Sequence, residues 1–267
     1  MNISELFNVK NKVVLVTGGS RGIGEMIASG FLANGAKVYI SSRKEEDCNA
    51  TAVRLSNKYS SECISIPADI SEIKGINNLF DKFAGLETSL DVLINNAGAV
   101  WGEPLETFSE DGWDKVMDLN VKSIFFMIQK FLNLLKTNKE KDNPARVINI
   151  GSIDGINTPF YENYSYSIAK SAVHKLTSVL AARLIKDNII CNAIAPGPFP
   201  SKMLGSAVEH DYSVISKKNP SGRVGLPEDI AGLAIFLASK AGRYTVGETI
   251  TCDGGLIASA GHDLTND

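Results

Sequence analysis

KVVLVTGGSRGIG, residues 12–24, runs from a strand pattern into a helix pattern through a glycine-rich turn. The stretch 12–18 is a short β-branched run that stops at glycine. The stretch 22–37 carries helical spacing, with Gly35 as its stop signal. A turn of this kind lets the backbone approach a pyrophosphate closely. The helix behind it offers free N–H groups and a partial positive charge. Gly18, Gly22 and Gly24 are the key positions, with Ser20, Arg21 and Ile23 between them. Any tight turn favours glycine, so the residues alone say little. Their position at the first strand-to-helix junction makes them a dinucleotide signal. The spacing is Gly-x-x-x-Gly-x-Gly rather than Gly-x-Gly-x-x-Gly, and no Gly-Lys-Ser/Thr of a P-loop follows.

Working outward, strand and helix patterns alternate to the end of the chain. Strands are expected at 37–42, 63–69, 90–98, 145–152, 188–197 and 248–255. Helices are expected at about 45–59, 72–86, 109–136, 163–187 and 226–239. Apolar strands in strict alternation with helices predict an α/β fold. Its core is a doubly wound parallel sheet of about seven strands with helices on both faces. No repeat or linker divides the chain, so residues 1–267 read as a single domain. The stretch 198–225, rich in Pro, Gly and Ser, reads as a substrate lid or binding loop.

Hydrophobic residues make up 44% of the 267, enough for a large core, and the net charge is −3. Lysines and arginines are spread out, which argues against a nucleic-acid partner. There is no secretory signal pattern and no apolar run of membrane-spanning length, so a cytoplasmic protein is expected. Cys48, Cys63, Cys191 and Cys252 are isolated and read as reduced thiols. With three histidines in the chain, no metal site is expected. His174, in an apolar helical stretch, reads as structural.

The second strand ends in Ser41–Ser42, followed by Arg43 and Lys44. An NAD site usually places an acid here for the adenosine ribose. A 2′-phosphate is repelled by that acid and attracted by arginine. The first acid is Glu45, in the following helix pattern, and Arg21 adds charge from the glycine turn. The expected cofactor is therefore NADP(H).

Further on, SYSIAK (165–170) sets Tyr166 four residues before Lys170. On a helix the two share a face. A phenol near pKa 10 is a poor acid–base group at neutral pH, and a neighbouring ammonium favours its ionised form. Ser152 follows the strand ARVINIGS, fourteen positions before Tyr166.

TGGSRGIG, NNAG (95–98), SYSIAK and PG (196–197) occur in the order and spacing of the short-chain dehydrogenase/reductase family. The resemblance extends from about Val9 to Leu256 and implies a Rossmann-like fold. It makes Tyr166 the general acid/base and has Lys170 also hold the nicotinamide ribose. Ser152 is implied to bond the substrate carbonyl, and Asn120 to anchor a proton-relay water. For the cofactor it implies Ser42 and Arg43 at the second strand tip and Asp69 and Ile70 beside the adenine. Asn96, Ala97 and Gly98 would lie under the ribose, with Pro196 and Gly197 beside the nicotinamide. Thr17 would tie the turn to the NNAG strand. Ser201 stands where the family usually has threonine, so its contact to the cofactor is less well defined. Enoyl reductases of the family space tyrosine and lysine by six. That position here is Asn163, which favours carbonyl over C=C reduction.

Ile153, Ile156, Phe160, Phe199, Met203 and Leu204 give the substrate segments an apolar character suited to a hydrophobic ketone. GWDKVMDLNV, NPARVINIGS and APGPFPSKM resemble the 3-oxoacyl reductases associated with rhamnolipid synthesis. That implies an acyl-thioester ketone carried on coenzyme A or on an acyl carrier protein; Lys175, Arg183 and Lys186 are candidate docking residues for the carrier protein as partner. A homotetramer is implied through the helices at 109–136 and 163–187. A dehydrogenase of sugars, polyols or small diketones is the alternative. A non-catalytic NADP-binding regulator ranks lower, because Tyr166 and Lys170 are both present.

Overall fold

The computed structural model describes residues 2–137, 139–159, 161–201, 204 and 211–259. Seven parallel strands form one sheet: β1 Val13–Thr17, β2 Lys37–Ser41, β3 Cys63–Ser65, β4 Val92–Asn95, β5 Ala145–Ile150, β6 Ile189–Pro196 and β7 Thr249–Cys252. Their order is β3-β2-β1-β4-β5-β6-β7, so the chain reverses its direction of winding between β1 and β4. Ligands of such sheets bind at that switch point, beyond the carboxyl ends of the strands.

The helices are α1 Ile3–Leu6, α2 Gly22–Ala33, α3 Glu45–Tyr59, α4 Ile73–Ala84, α5 Glu110–Met117, α6 Ser123–Lys136, α7 Tyr164–Leu184, α8 Ser213–Lys218 and α9 Pro227–Ala238. β1 shows why both faces are covered. Val14 and Val16 pack with Ile27, Phe31, Leu55 and Leu237 on one side. Leu15 packs with Leu79, Phe83, Phe131 and Val173 on the other. Alternate side chains of a strand point to opposite faces, so a strand apolar at every position needs helices on both.

Several boundaries follow local chemistry. α2 ends where Gly35 takes φ +76, with Ala36 N–H donating to Phe31 O at 3.1 Å and Gly35 N–H to Leu32 O at 3.0 Å. This glycine-terminated end caps the last carbonyls. α9 begins with Pro227, and Asp229 accepts from the Leu226 N–H at 2.8 Å.

Three expectations need correction. The strand expected at 63–69 stops at Ser65, although Ile66 N–H still donates to Ile40 O at 2.8 Å and Ala68 N–H to Ser42 O, just past β2, at 3.1 Å. Pro67 between them faces the open sheet edge, where a missing N–H costs little. The helix expected at 109–136 is interrupted by a π turn, Asp118–Lys122, between α5 and α6. The stretch 198–225 contains α8 rather than being wholly irregular.

Arg146 is an unusual core residue. It is 3% exposed in β5, and its guanidinium donates to Leu237 O at 3.0 Å and Ser239 O at 3.1 Å, and also to Pro144 O. Burial lowers its pKa to about 10, which leaves it charged at neutral pH. It occupies the negative end of α9 and satisfies carbonyls that the helix leaves free. Arg146→Met keeps the aliphatic stem and strands those acceptors. The expected cost is about 3 kcal/mol, lowering the melting temperature by roughly 6–12 °C in a circular-dichroism melt. An unchanged melt would show that the carbonyls find other donors.

Candidate active site

The glycine turn is shaped by close backbone contact. Gly18 has φ +65, and a Cβ there would lie 2.9 Å from Ala97 Cα. A Cβ on Gly24 would lie 2.3 Å from Gly18 O. Gly22 has φ +55, and its added Cβ would meet Ser201 Cβ at 3.3 Å. Ser201 therefore covers the turn. Arg21 sits before α2 in extended conformation with its side chain exposed, and Ile23 packs against the core. Ser20 accepts the Thr51 hydroxyl at 3.0 Å through its carbonyl, which ties the turn to α3.

Thr17 joins this turn to the NNAG segment. Its hydroxyl accepts from Asn96 N at 3.0 Å and Ala97 N at 3.1 Å. The Asn96 amide donates back to Thr17 O at 2.9 Å and Gly18 O at 3.1 Å. At the tip of β2, the Ser41 and Ser42 hydroxyls are buried without a hydrogen-bond partner among the described residues. Buried hydroxyls ordinarily find a partner. Arg43 is exposed and lies 3.9 Å from the Asp69 carboxylate, with Ile70 buried beside it. Pro196 ends β6, and Gly197 packs so closely on Asp253 that a Cβ would fall 2.8 Å from its Cα.

The π turn directs Asn120 into the protein, where it is fully buried. Its amide donates to Ala99 O at 2.7 Å and accepts from Ala99 N at 2.9 Å. A Cβ on Gly98 would lie 2.8 Å from Asn120 Oδ1 and 3.7 Å from Lys170 Nζ. Asn120, Gly98 and Lys170 thus meet at one point. π turns inside α-helices occur frequently at functional sites.

Ser152, Tyr166 and Lys170 converge at the carboxyl ends of β4 and β5. Lys170 is 4% exposed, donates to Ile150 O at 2.9 Å and lies 5.5 Å from the centre of the Tyr166 ring. Ser152 accepts the Asp154 N–H at 3.1 Å through its hydroxyl oxygen, which leaves its own proton free to donate. Tyr166 remains partly open to solvent while protein surrounds most of it.

The electrostatics depart from expectation. Burial first and the Asp154 charge second raise the Tyr166 pKa to about 12, against an opposing pull from Ser152. Lys170 was expected to lower it. Burial instead lowers Lys170 itself to about 8, against an opposing pull from Asp154. Desolvation disfavours the charged form of each. The pair at neutral pH is a protonated phenol beside an ammonium, the state needed to give a proton away.

Two residues at the site went unassigned in the sequence. Asp154 is half-buried, and burial raises its carboxyl pKa; it acts on both Tyr166 and Lys170. Trp101 covers Gly112 so tightly that a Cβ would lie 2.3 Å from its indole nitrogen. Glu103 N–H donates to Glu162 O at 3.2 Å, and Phe108 stacks edge-on against Tyr164 at 5.8 Å. These contacts join the loop after β4 to the segment before α7. A signal was available in Trp101 and Phe108, two aromatics just after NNAG. Asp154 offered none beyond its nearness to Ser152. Phe160 and Met203 lie outside the described residues.

Among the described residues, no group of three or more His, Cys, Asp or Glu could hold a metal ion. No helix there is long and apolar enough to cross a membrane. All four cysteines are free, and burial raises the thiol pKa of each.

Known proteins resemble the chain along most of its length. A family model described as enoyl-(acyl carrier protein) reductase matches residues 18–257. A rhamnolipids biosynthesis 3-oxoacyl-[acyl-carrier-protein] reductase of Pseudomonas aeruginosa is 46% identical over 94% of this chain and 98% of its own. A 2-dehydro-3-deoxy-D-gluconate 5-dehydrogenase of Dickeya dadantii is 36% identical over 96% of this chain and 99% of its own. The solved Pseudomonas aeruginosa RhlG/NADP active-site complex superposes with a TM-score of 0.90 at 46% identity, covering 96% of this chain and 99% of that one. A family match across most of the fold, together with relatives alike from end to end, makes the chain a member of the short-chain dehydrogenase/reductase family.

Proposed function

We propose that the protein is an NADPH-dependent carbonyl reductase that converts a 3-oxoacyl thioester to the 3-hydroxyacyl form. The observation that carries this reading is the 46% identity, over nearly the full length of both chains, to a 3-oxoacyl reductase. Family membership supports the reaction class. The Tyr166–Lys170 spacing supports reduction of C=O rather than C=C, despite the wording of the family model.

The site fits a dinucleotide. The glycine turn is a cradle that side chains would fill, and the Ser41 and Ser42 hydroxyls are buried without a partner among the described residues. Gly18, Ser20, Arg21, Gly22, Ile23 and Gly24 would hold the pyrophosphate. Ser42 and Arg43 would take the 2′-phosphate. Asp69 and Ile70 would flank the adenine. Asn96, Ala97, Gly98, Pro196, Gly197 and Ser201 would line the nicotinamide half. When bound, the cofactor supplies the hydride. Ser152 then donates a hydrogen bond to the carbonyl oxygen, and Tyr166 delivers the proton. Lys170 keeps positive charge beside the phenol. Asn120 fixes the 98–99 backbone against Lys170. The reading treats the chain as one catalytic domain, with 198–225 as the cover over the substrate.

The carrier is less constrained. Lys175 is five residues beyond Lys170 on α7, but Arg183 is thirteen residues beyond it, about 20 Å along the helix. It donates to Asp187 at 2.7 Å. Coenzyme A and acyl-carrier-protein thioesters therefore belong in the same assay. Exposed Trp113, Phe125, Ile168 and Val179 on α5, α6 and α7 support burial against further copies in a homotetramer.

The 36% identity to the gluconate dehydrogenase supports a second reading, oxidation of a sugar acid. The discriminating test measures kcat/KM for 3-oxoacyl thioesters of two chain lengths and for sugar-acid substrates, with NADPH and NADH in parallel. The expected result is thioester reduction with NADPH preferred by about 10–100-fold, the worth of one or two charge-assisted contacts. Activity confined to sugar acids would overturn the substrate, and equal use of NADH would overturn the cofactor.

A further inference from the structure

We propose that His174 is a positioning residue for the reaction, holding the Ser152 backbone so that the Ser152 hydroxyl faces the substrate oxygen. This rests on the carbonyl-reductase reading and names how that site is kept in register.

The support is geometric. Three side chains within about one turn of α7 grip the segment 150–155. Lys170 donates to Ile150 O at 2.9 Å. Ser171 donates through its hydroxyl to Gly155 O at 2.7 Å. His174, one turn past Lys170, accepts the Ser152 N–H through Nε2 at 3.4 Å. The imidazole fits a socket made by two glycines that flank Ser152. A Cβ on Gly151 would lie 2.1 Å from Nε2, and one on Gly155 would lie 2.9 Å from Cε1. Larger residues there would push the loop off the ring.

Nε2 can accept only while it is unprotonated. Burial and the neighbouring Lys170 charge both hold the ring pKa below its usual value, against a smaller opposing effect of the Gly155 carbonyl. The ring is therefore neutral, with its proton on Nδ1. The Ser152 amide is thereby fixed from one side. The Ser152 hydroxyl oxygen accepts from Asp154 N–H on the other, so the oxygen is held in place while its own proton is left to donate. His174 touches no reacting atom in this scheme; it acts through Ser152.

The test compares wild type, His174→Leu and His174→Gln. Leucine keeps apolar bulk and removes the acceptor. Glutamine places an amide oxygen near the position of Nε2. Steady-state kinetics with a 3-oxoacyl thioester are run beside amide hydrogen exchange over 150–155. For His174→Leu the expected result is a fall in kcat of about tenfold, with the KM for NADPH unchanged. The Ser152 amide should also exchange faster. His174→Gln should recover most of both. Wild-type kcat and protection in His174→Leu would overturn the inference, as would a glutamine variant as poor as leucine. If wild type reduces no thioester, the substrate reading fails, while the exchange data still decide the role of His174.

Discussion

Tyr166→Phe should lose carbonyl reduction by about 10²–10⁴-fold while binding NADPH as tightly as wild type. The substitution removes one hydroxyl and keeps the ring against which Lys170 lies. Asp154 acts on Tyr166 electrostatically and raises its pKa. The wild-type pH profile carries the same argument. Reduction needs a protonated phenol and a charged lysine. Tyr166, raised to about 12, keeps its proton throughout the working range. Lys170, lowered to about 8, loses its charge as pH rises through that value. The rate should therefore hold below about pH 8 and fall above it. A Tyr166→Phe enzyme with even a tenth of wild-type kcat would remove Tyr166 from the proton step.

The second large effect is expected at Gly24. In an ordinary helix, alanine is more favourable than glycine by about 1 kcal/mol. Here the added Cβ would sit 2.3 Å from Gly18 O and 2.4 Å from Asn96 Nδ2. Neither neighbour is a flexible side-chain end: one is backbone, and the other is pinned to Thr17 and Gly18 by two hydrogen bonds. The clash should outweigh the propensity gain. Gly24→Ala should open the turn and weaken NADPH binding by about 100-fold or more in a fluorescence titration, a loss of about 2.7 kcal/mol. Gly232→Ala is the control. It lies within α9, where an added Cβ meets nothing within 4 Å, so it should leave binding intact. Wild-type affinity in Gly24→Ala would contradict the cradle.

Much of this was legible in the chain because it is written in local chemistry. The first glycine turn, the helix stop at Gly35 and the start of α9 at Pro227 each depend on a few adjacent residues. β1 could be read because Val13, Val14, Leu15 and Val16 are apolar in succession. Features that depend on tertiary packing could not. Helical periodicity runs smoothly through 109–136, since a single π turn hardly disturbs the pattern, yet that turn is what points Asn120 inward. The expected effect of Lys170 on Tyr166 took account of spacing but not of shared burial, which shifts both groups towards their neutral forms. His174 read as structural because the helix it sits on is apolar. Its neighbour across the fold, the Ser152 amide, lies twenty-two residues away in sequence. Arg183 lies in the last turn of α7 and Lys186 in the short turn beyond it, a separation from Lys170 that follows from helix length.

The most direct test of the central claim is product analysis by mass spectrometry. A 3-oxoacyl thioester and the 2-enoyl thioester of the same chain length are each incubated with enzyme and NADPH. The account predicts conversion of the ketone to the 3-hydroxyacyl product, two mass units heavier, with the enoyl substrate unchanged. Saturation of the enoyl thioester with the ketone left intact would contradict it.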